Sequence, residues 1–176
     1  MDRDEVKAAE KLIGYRFEDR DLLVRSLTHA SLVDSRLESN ERLEFLGDAI
    51  LGMVVCDYLF RQYPEFLEGE MTKIKSSVVS RRVCAEIADD LRLDSLIRLG
   101  KGMSNRGELP RSVLAAVLEA LIGALFLDGG IDAARDFIVR QLEERIEQAA
   151  TSGHQHNFKS VLQQAAQQEL DMTPQY

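Results

Sequence analysis

Residues 40–51 read NERLEFLGDAIL. Placed on a helix at about 100° per residue with Glu41 at 0°, Glu44 falls near −60° and Asp48 near −20°, so three acids share a stripe about 60° wide. Leu43, Leu46, Ile50 and Val54 fall on the opposite side, which is the pattern of a helix with one face in a core. Two readings of the acidic stripe are open: a solvated face, or a set of ligands. Like charges at i, i+3 and i+4 cost a helix a few tenths of a kcal/mol, about 0.2–0.5 per pair, and the only nearby cation within the segment, Arg42, points sideways. Phe45, near 40°, stands on the edge of the acidic face, where a large ring is wasted unless a partner chain covers it.

Further along, residues 112–128 read SVLAAVLEALIGALFLD, and Glu119 is the only charge between Val113 and Leu127. A helix apolar all round is buried, and an ionised carboxylate within it costs several kcal/mol unless a cation or strong donors meet it. Glu119 alone is equally readable as a neutral acid of raised pKa, as half of a salt bridge, or as a ligand. Taken with the stripe of Glu44 and Asp48, a shared divalent-cation site is the economical explanation. All-oxygen donors with no His or Cys favour a hard ion, Mg²⁺ or Mn²⁺.

Around these segments apolar residues recur at helical spacing almost everywhere, and alternating strand-like runs are scarce, so the predicted class is all-α. Expected helices cover 4–13, 19–28, 39–63, 69–91, 110–127 and 131–149, with Pro64 ending the third, Pro110 opening the fifth, and Gly129-Gly130 as a break. Residues 100–109 read as an exposed loop, and their glycines match no phosphate-loop pattern. The 176 residues suit one complete domain over 1–150, followed by a small polar linker at 151–156 and a last helix that starts at Asn157. His29 reads as structural.

The net charge of −8 and pI near 5.0 argue, taken alone, against a polyanionic partner. The charge is uneven, however: residues 1–69 carry 9 basic and 15 acidic side chains, residues 70–111 carry 9 and 6, and residues 112–176 carry 4 and 9. Lys73, Lys75, Arg81 and Arg82 thus belong to a basic island between acidic flanks. Cys56 and Cys84 have no metal or redox spacing and are expected to be buried small hydrophobes in a reducing, cytoplasmic setting. The N-terminus has no secretory pattern, and the run Val113–Leu127 is too short and too charged to span a bilayer, so no membrane role is expected.

NERLEFLGDAIL resembles the signature of the ribonuclease III endonucleases, and its surroundings agree in order: LTHAS upstream, then YPEFLEGEMTKIKSSVVSR, LGKGMSNRG and VLEALIGALFLDGG. The resemblance covers about residues 6–148. The tail NFKSVLQQAAQQELDMTPQY is similar to the opening helix of the double-stranded-RNA-binding domain that follows the catalytic domain in bacterial members, so residues 157–176 are expected to be a fragment of that α/β domain.

The resemblance implies an Mg²⁺-dependent hydrolase of double-stranded RNA that leaves 5′-phosphate and 3′-hydroxyl ends, works as a homodimer and processes rRNA and other structured precursors. Carried over, Glu44, Asp48 and Glu119 match metal ligands, with Asp48 and Glu119 the catalytic pair, while Glu41 and Glu68 match accessory acids at the edge of the valley. Phe45 matches the aromatic that docks into the partner, and Lys73, Lys75 and Arg81 would grip the RNA backbone, as would Gln163 and Gln167 in the tail. One position departs from the pattern: Ala116 stands where the family usually has an Asp, on the same helix face as Glu119. The alternative is therefore a ribonuclease III-like domain that binds RNA or a ribonucleoprotein without cutting it.

Overall fold

A computed structural model describes residues 1–104 and 109–170, with the main chain alone for residue 104 and residues 153–170. The described residues form helices α1 (Arg3–Ile13), α2 (Arg20–Ser26), α3 (Glu41–Gln62), α4 (Glu68–Val78), α5 (Arg81–Asp90), α6 (Lys101–Ser104) and α7 (Arg111–Leu170), joined by short 3-10 turns. Among them no strand forms, and a lone parallel bridge between Thr28 and Arg98 ties the turn after α2 to the approach to α6. The all-α expectation holds.

Local chemistry starts each element. Asp2 and Glu5 form a reciprocal cap at α1: the Asp2 carboxylate accepts from the amides of Asp4 (2.8 Å) and Glu5 (2.9 Å), and Glu5 accepts from the Asp2 amide (2.7 Å). Asp19 caps α2 through the Asp21 amide at 2.9 Å. In α7, Gly130 has φ 74° and ψ −169°, which breaks the helix where the glycine pair is expected to break it. Just before that kink, Asp128 accepts from the Tyr15 hydroxyl (2.8 Å) and from the amides of Glu18 (3.0 Å) and Asp19 (2.8 Å), pinning the start of α2 to the middle of α7.

Four expectations are corrected. Residues 69–91 are two helices, because the Ser80 hydroxyl donates to the Ser77 carbonyl (2.9 Å) and accepts from the Val83 amide (3.4 Å), closing α4 and capping α5 with Ser80 itself extended. The loop at 100–109 contains the single turn of α6, Lys101–Ser104; residues 105–108 lie outside the described residues. Residues 151–156, read as a linker, continue α7: with one glycine and no proline they break no main-chain hydrogen bond, and Gly153 costs a helix only about 1 kcal/mol. Cys84 is buried as expected, but Cys56 is exposed, since it sits near 60° on the outward face of α3.

The first half of α7 is the axis of the protein. Val117, Ala120, Leu121, Ala124 and Leu125 are fully enclosed, and α3, α5, α4 and α2 pack around them. By length and composition α7 would suffice to cross a bilayer, yet 56% of its apolar window is buried inside the protein, as in the core helix of a bundle. α3 makes the most extensive contact with it. At their crossing, a methyl group added to Gly47 would lie 2.6 Å from the Glu119 carbonyl carbon and closer still to its oxygen, and one added to Gly123 would meet the Leu43 carbonyl. Both positions need glycine because the two backbones touch there.

Replacing Gly47 by alanine is expected to destabilise the fold by at least about 3 kcal/mol, since backbone lies opposite and cannot yield. Gly52→Ala, whose added methyl would meet only the Lys75 side chain at 3.7 Å, should raise stability by about 0.5–1 kcal/mol through helix propensity. Urea unfolding of the two variants checks both values; equal effects would refute the backbone crossing.

Candidate active site

The α3–α7 crossing places the acids. Gly47 lies between Glu44 and Asp48 in the sequence and abuts the main chain of Glu119, so the stripe of α3 and the single charge of the α7 core run arrive at one place. Glu41, Glu44, Phe45, Asp48, Ala49, Val79, Arg81 and Glu119 line a cleft of about 680 Å³. The core side of α3 is as the periodicity requires, with Leu43, Ile50 and Val54 buried.

The cleft is short of positive charge. Burial, then the negative charges of Asp48 and Glu44, push the Glu119 carboxyl up to about 7, against a partial opposing pull from Arg81. Glu44 is raised as well, by burial and by Glu41, again with Arg81 opposing. Beneath them the Cys84 thiol is pushed up to about 12 by burial and by Glu119 and Asp48, which leaves it inert as a nucleophile. Glu41, on the rim, has a cation of its own, Arg36 at 3.3 Å.

The donor set suits a divalent ion: carboxylate oxygens gathered where their own repulsion is uncompensated are what Mg²⁺ or Mn²⁺ relieves. Among the described residues no three such side chains stand close enough to hold an ion unaided, so water or substrate oxygens would complete its shell. Ala116 lies one turn before Glu119 and is half-buried, with no donor to offer.

Not every predicted residue joins this cluster. Glu68, the first residue of α4, is exposed, accepts from the Thr72 hydroxyl at 2.7 Å, and is outside the cleft lining. Lys73 is exposed on α4, and Lys75 is half-buried across α3, its ammonium 3.8 Å from where a Gly52 methyl would stand. Arg81 differs from both by lying in the cleft itself. Its place depends on the break at Ser80, which lies inside the single helix expected over 69–91. The side chains of Gln163 and Gln167 lie outside the described residues. His29 is structural as expected, its Nδ1 accepting from the Ser31 amide at 3.1 Å.

Phe45 is 83% exposed, the ring standing free at the cleft edge. It heads a longer apolar stripe absent from the sequence-based expectation: Met53, Cys56 and Phe60 follow on the same side of α3. The signal was present as i, i+8, i+11 and i+15 spacing from Phe45, hidden by the apolar residues of the core face.

Without a divalent ion, the raised Glu119 carboxyl makes stability fall with pH. The unfolded chain releases the proton near the ordinary value of 4.5 and the folded chain only near 7, so between these pH values the native state binds more protons and loses stability as pH rises. Thermal melts in EDTA from about pH 5 to pH 8 should show a declining Tm for the native chain and a flatter profile for Glu119→Gln; parallel profiles would refute the assignment.

Comparison with known proteins agrees with this geometry. A family model described as Ribonuclease-III-like matches residues 19–146. Ribonuclease 3 of Rhodopirellula baltica is 48% identical over 171 residues, covering 97% of this chain and 64% of the relative, and that of Symbiobacterium thermophilum is 40% identical over 166 residues, covering 93% and 71%. The chain thus spans about two thirds of the length of these relatives. A solved nuclease domain of ribonuclease III from Campylobacter jejuni superposes with a TM-score of 0.74 at 37% identity, covering 79% of this chain and 96% of that one, and its structure is described as flexible in the region involved in dimer formation. Dicer from Pichia stipitis shares the fold, with a TM-score of 0.55 at 24% identity over 74% of this chain and 57% of that one. Two helices crossing on glycines to join the acids of NERLEFLGD to Glu119, within a helical nuclease-domain fold matched over 79% of the chain and a family model matched over residues 19–146, place this protein in the ribonuclease III family.

Proposed function

We propose that the chain is a metal-dependent endoribonuclease of double-stranded RNA, cutting phosphodiester bonds to leave 5′-phosphate and 3′-hydroxyl ends. The observation that carries this reading is the convergence of Glu44, Asp48 and Glu119 in one cleft, where burial and neighbouring negative charge raise the carboxyl groups of Glu44 and Glu119. These three side chains, with water or substrate oxygens completing the shell, would hold Mg²⁺, or Mn²⁺ in its place, with Asp48 and Glu119 nearest the chemistry and Glu41 an accessory acid on the rim. When bound, such an ion would supply the positive charge that activates a water molecule and offsets charge developing on the phosphate. The protein's own part is to hold the carboxylates at fixed separation on two core-packed helices, and to keep the cleft open on one side so that a phosphate can enter. Glu68, outside the cleft in one chain, would act at the edge of the wider RNA valley. Loss of the acid at Ala116 removes one ligand oxygen pair, which water can replace around so hydrated an ion.

Duplex RNA is recognised by shape, phosphates and 2′-hydroxyls, so no base-reading motif is required. Lys73 and Lys75 would line the path of the backbone, and residues 157–176, with Gln163 and Gln167, would begin a second RNA-binding unit after the 1–150 catalytic domain. The exposed stripe from Phe45 through Phe60 is the proposed homodimer face: 83% and 72% exposure of two phenylalanines on one helix side leaves apolar area that a second copy would bury. Two free cysteines suit the cytoplasm, where structured rRNA and mRNA precursors would be the substrates.

Incubation with a long RNA duplex in Mg²⁺ should give cleavage by the native chain, none in EDTA, and a fall of about 1000-fold or more for Glu119→Ala. A native chain that leaves duplex intact while Ala116→Asp cuts it would overturn the active-enzyme reading for this sequence. In sedimentation at micromolar concentration the native chain should run as a dimer and Phe45→Ala as a monomer; a native monomer unchanged by the substitution would refute the interface.

A further inference from the structure

We propose that Arg81 holds the phosphate that is cut, acting as the cationic member of the catalytic cleft while Lys73 and Lys75 serve the groove outside it. This rests on the nuclease reading above and assigns one side chain within that same site.

Among the described residues, Arg81 is the only basic side chain in the lining of a cleft that contains Glu41, Glu44, Asp48 and Glu119. It is close enough to Glu44 and Glu119 to oppose the upward shift of both. Yet among the described residues it makes no ion pair within 4.0 Å with any carboxylate, and its side chain is exposed. The neighbouring Arg82 behaves otherwise: its Nη1 donates to Glu86 at 3.1 Å, and Glu86 also receives Arg145 at 2.9 Å. Two consecutive arginines are thus divided by the first turn of α5, one fastened to the scaffold and one left with its guanidinium donors free above the acids.

An arginine placed only to quiet the carboxylates would close on them as a bidentate pair, the geometry its planar fork favours. One that stands in the same cleft unpaired keeps its donors for an incoming anion, and on the nuclease reading the anion that would enter this cleft is the phosphate of the scissile bond. The local backbone supports a fixed position: Ser80 is extended and caps α5, so Arg81 begins the helix, and Val79 just before it is itself part of the cleft wall.

The test compares the 176-residue chain with Arg81→Ala, Arg81→Lys and Arg82→Ala on one labelled RNA duplex. Binding is read by fluorescence anisotropy across a KCl series at a fixed Ca²⁺ concentration at which no cleavage is detected, and cleavage as a single-turnover rate in Mg²⁺. The expected result is a rate about 100-fold lower for Arg81→Ala, the loss typical of one donor to a developing oxyanion. Arg81→Lys should recover roughly tenfold of that, since a point charge replaces the fork. The slope of log affinity against log salt should drop by about one for Arg81→Ala. Arg82→Ala should stay within about threefold of the native rate with an unchanged slope, as a surface pair with Glu86 requires.

An Arg81→Ala chain with native rate and native slope overturns the proposal. So does a lowered rate with an unchanged slope, which assigns Arg81 to offsetting the carboxylates, and a lowered slope with a native rate, which moves the contact elsewhere on the duplex. If the native chain does not cut at all, the nuclease reading fails, and the slope alone then decides whether Arg81 touches a phosphate.

Discussion

The contact between the backbones of α3 and α7 at Gly47 and Gly123 is the constraint from which the remaining structure follows. Helices with side chains at the crossing are kept 8–10 Å apart, whereas glycines let them close until carbonyl meets Cα. That approach encloses the apolar residues of α7 and leaves no room for a solvent layer between the helices. It also fixes the relative height of the two helices to within a fraction of a turn, so that Glu44 and Asp48 flank the point where Glu119 leaves α7.

The price of the arrangement is electrostatic. Acids brought together at the margin of a core repel one another and lose hydration, and the raised Glu119 and Glu44 carboxyl groups register both effects. A fold selected for stability alone would place apolar residues there. A cleft that keeps the acids in spite of this is poised for a cation, and the cation in its own wall, Arg81, reduces the repulsion without closing the cleft. The same helix α3 carries the acids and, a short rotation away, the exposed ring of Phe45, so the proposed metal site and the proposed dimer face share one rigid element and are positioned together.

Much of the fold is legible in the sequence because its signals are local. Asp2 and Glu5, Asp19, Pro64 and Gly130 act on the main chain within a few residues of themselves, and the ends of the expected helices beside them agree with the structure to within two or three residues. The exception at Ser80 is also local: a serine within a helical pattern can be tolerated or can cap, and the sign that it caps is a turn of the apolar face, from Ile74 and Val78 on one side to Val83 and Ile87 on nearly the opposite side, carried by only a few residues in each segment. For the same reason the acids of α3 could be placed on one face, and Glu119 could be marked as anomalous within an apolar run, from spacing alone.

The sequence by itself determined the helical class, the face of α3 that meets the core, and the identity of the acids, since each depends on a periodicity of 3.6 residues and on the cost of burying charge. Tertiary structure decided which of those residues meet. Glu119 is 71 residues from Asp48, and nothing in either segment states that two glycines let their backbones touch. It likewise decided that Arg81 enters the cleft while Arg82 turns to Glu86, that Glu68 stands outside, and that Cys56 faces solvent. These outcomes depend on the rotation and offset of whole helices against one another, quantities set by the sum of many packing contacts and carried by no single stretch of chain.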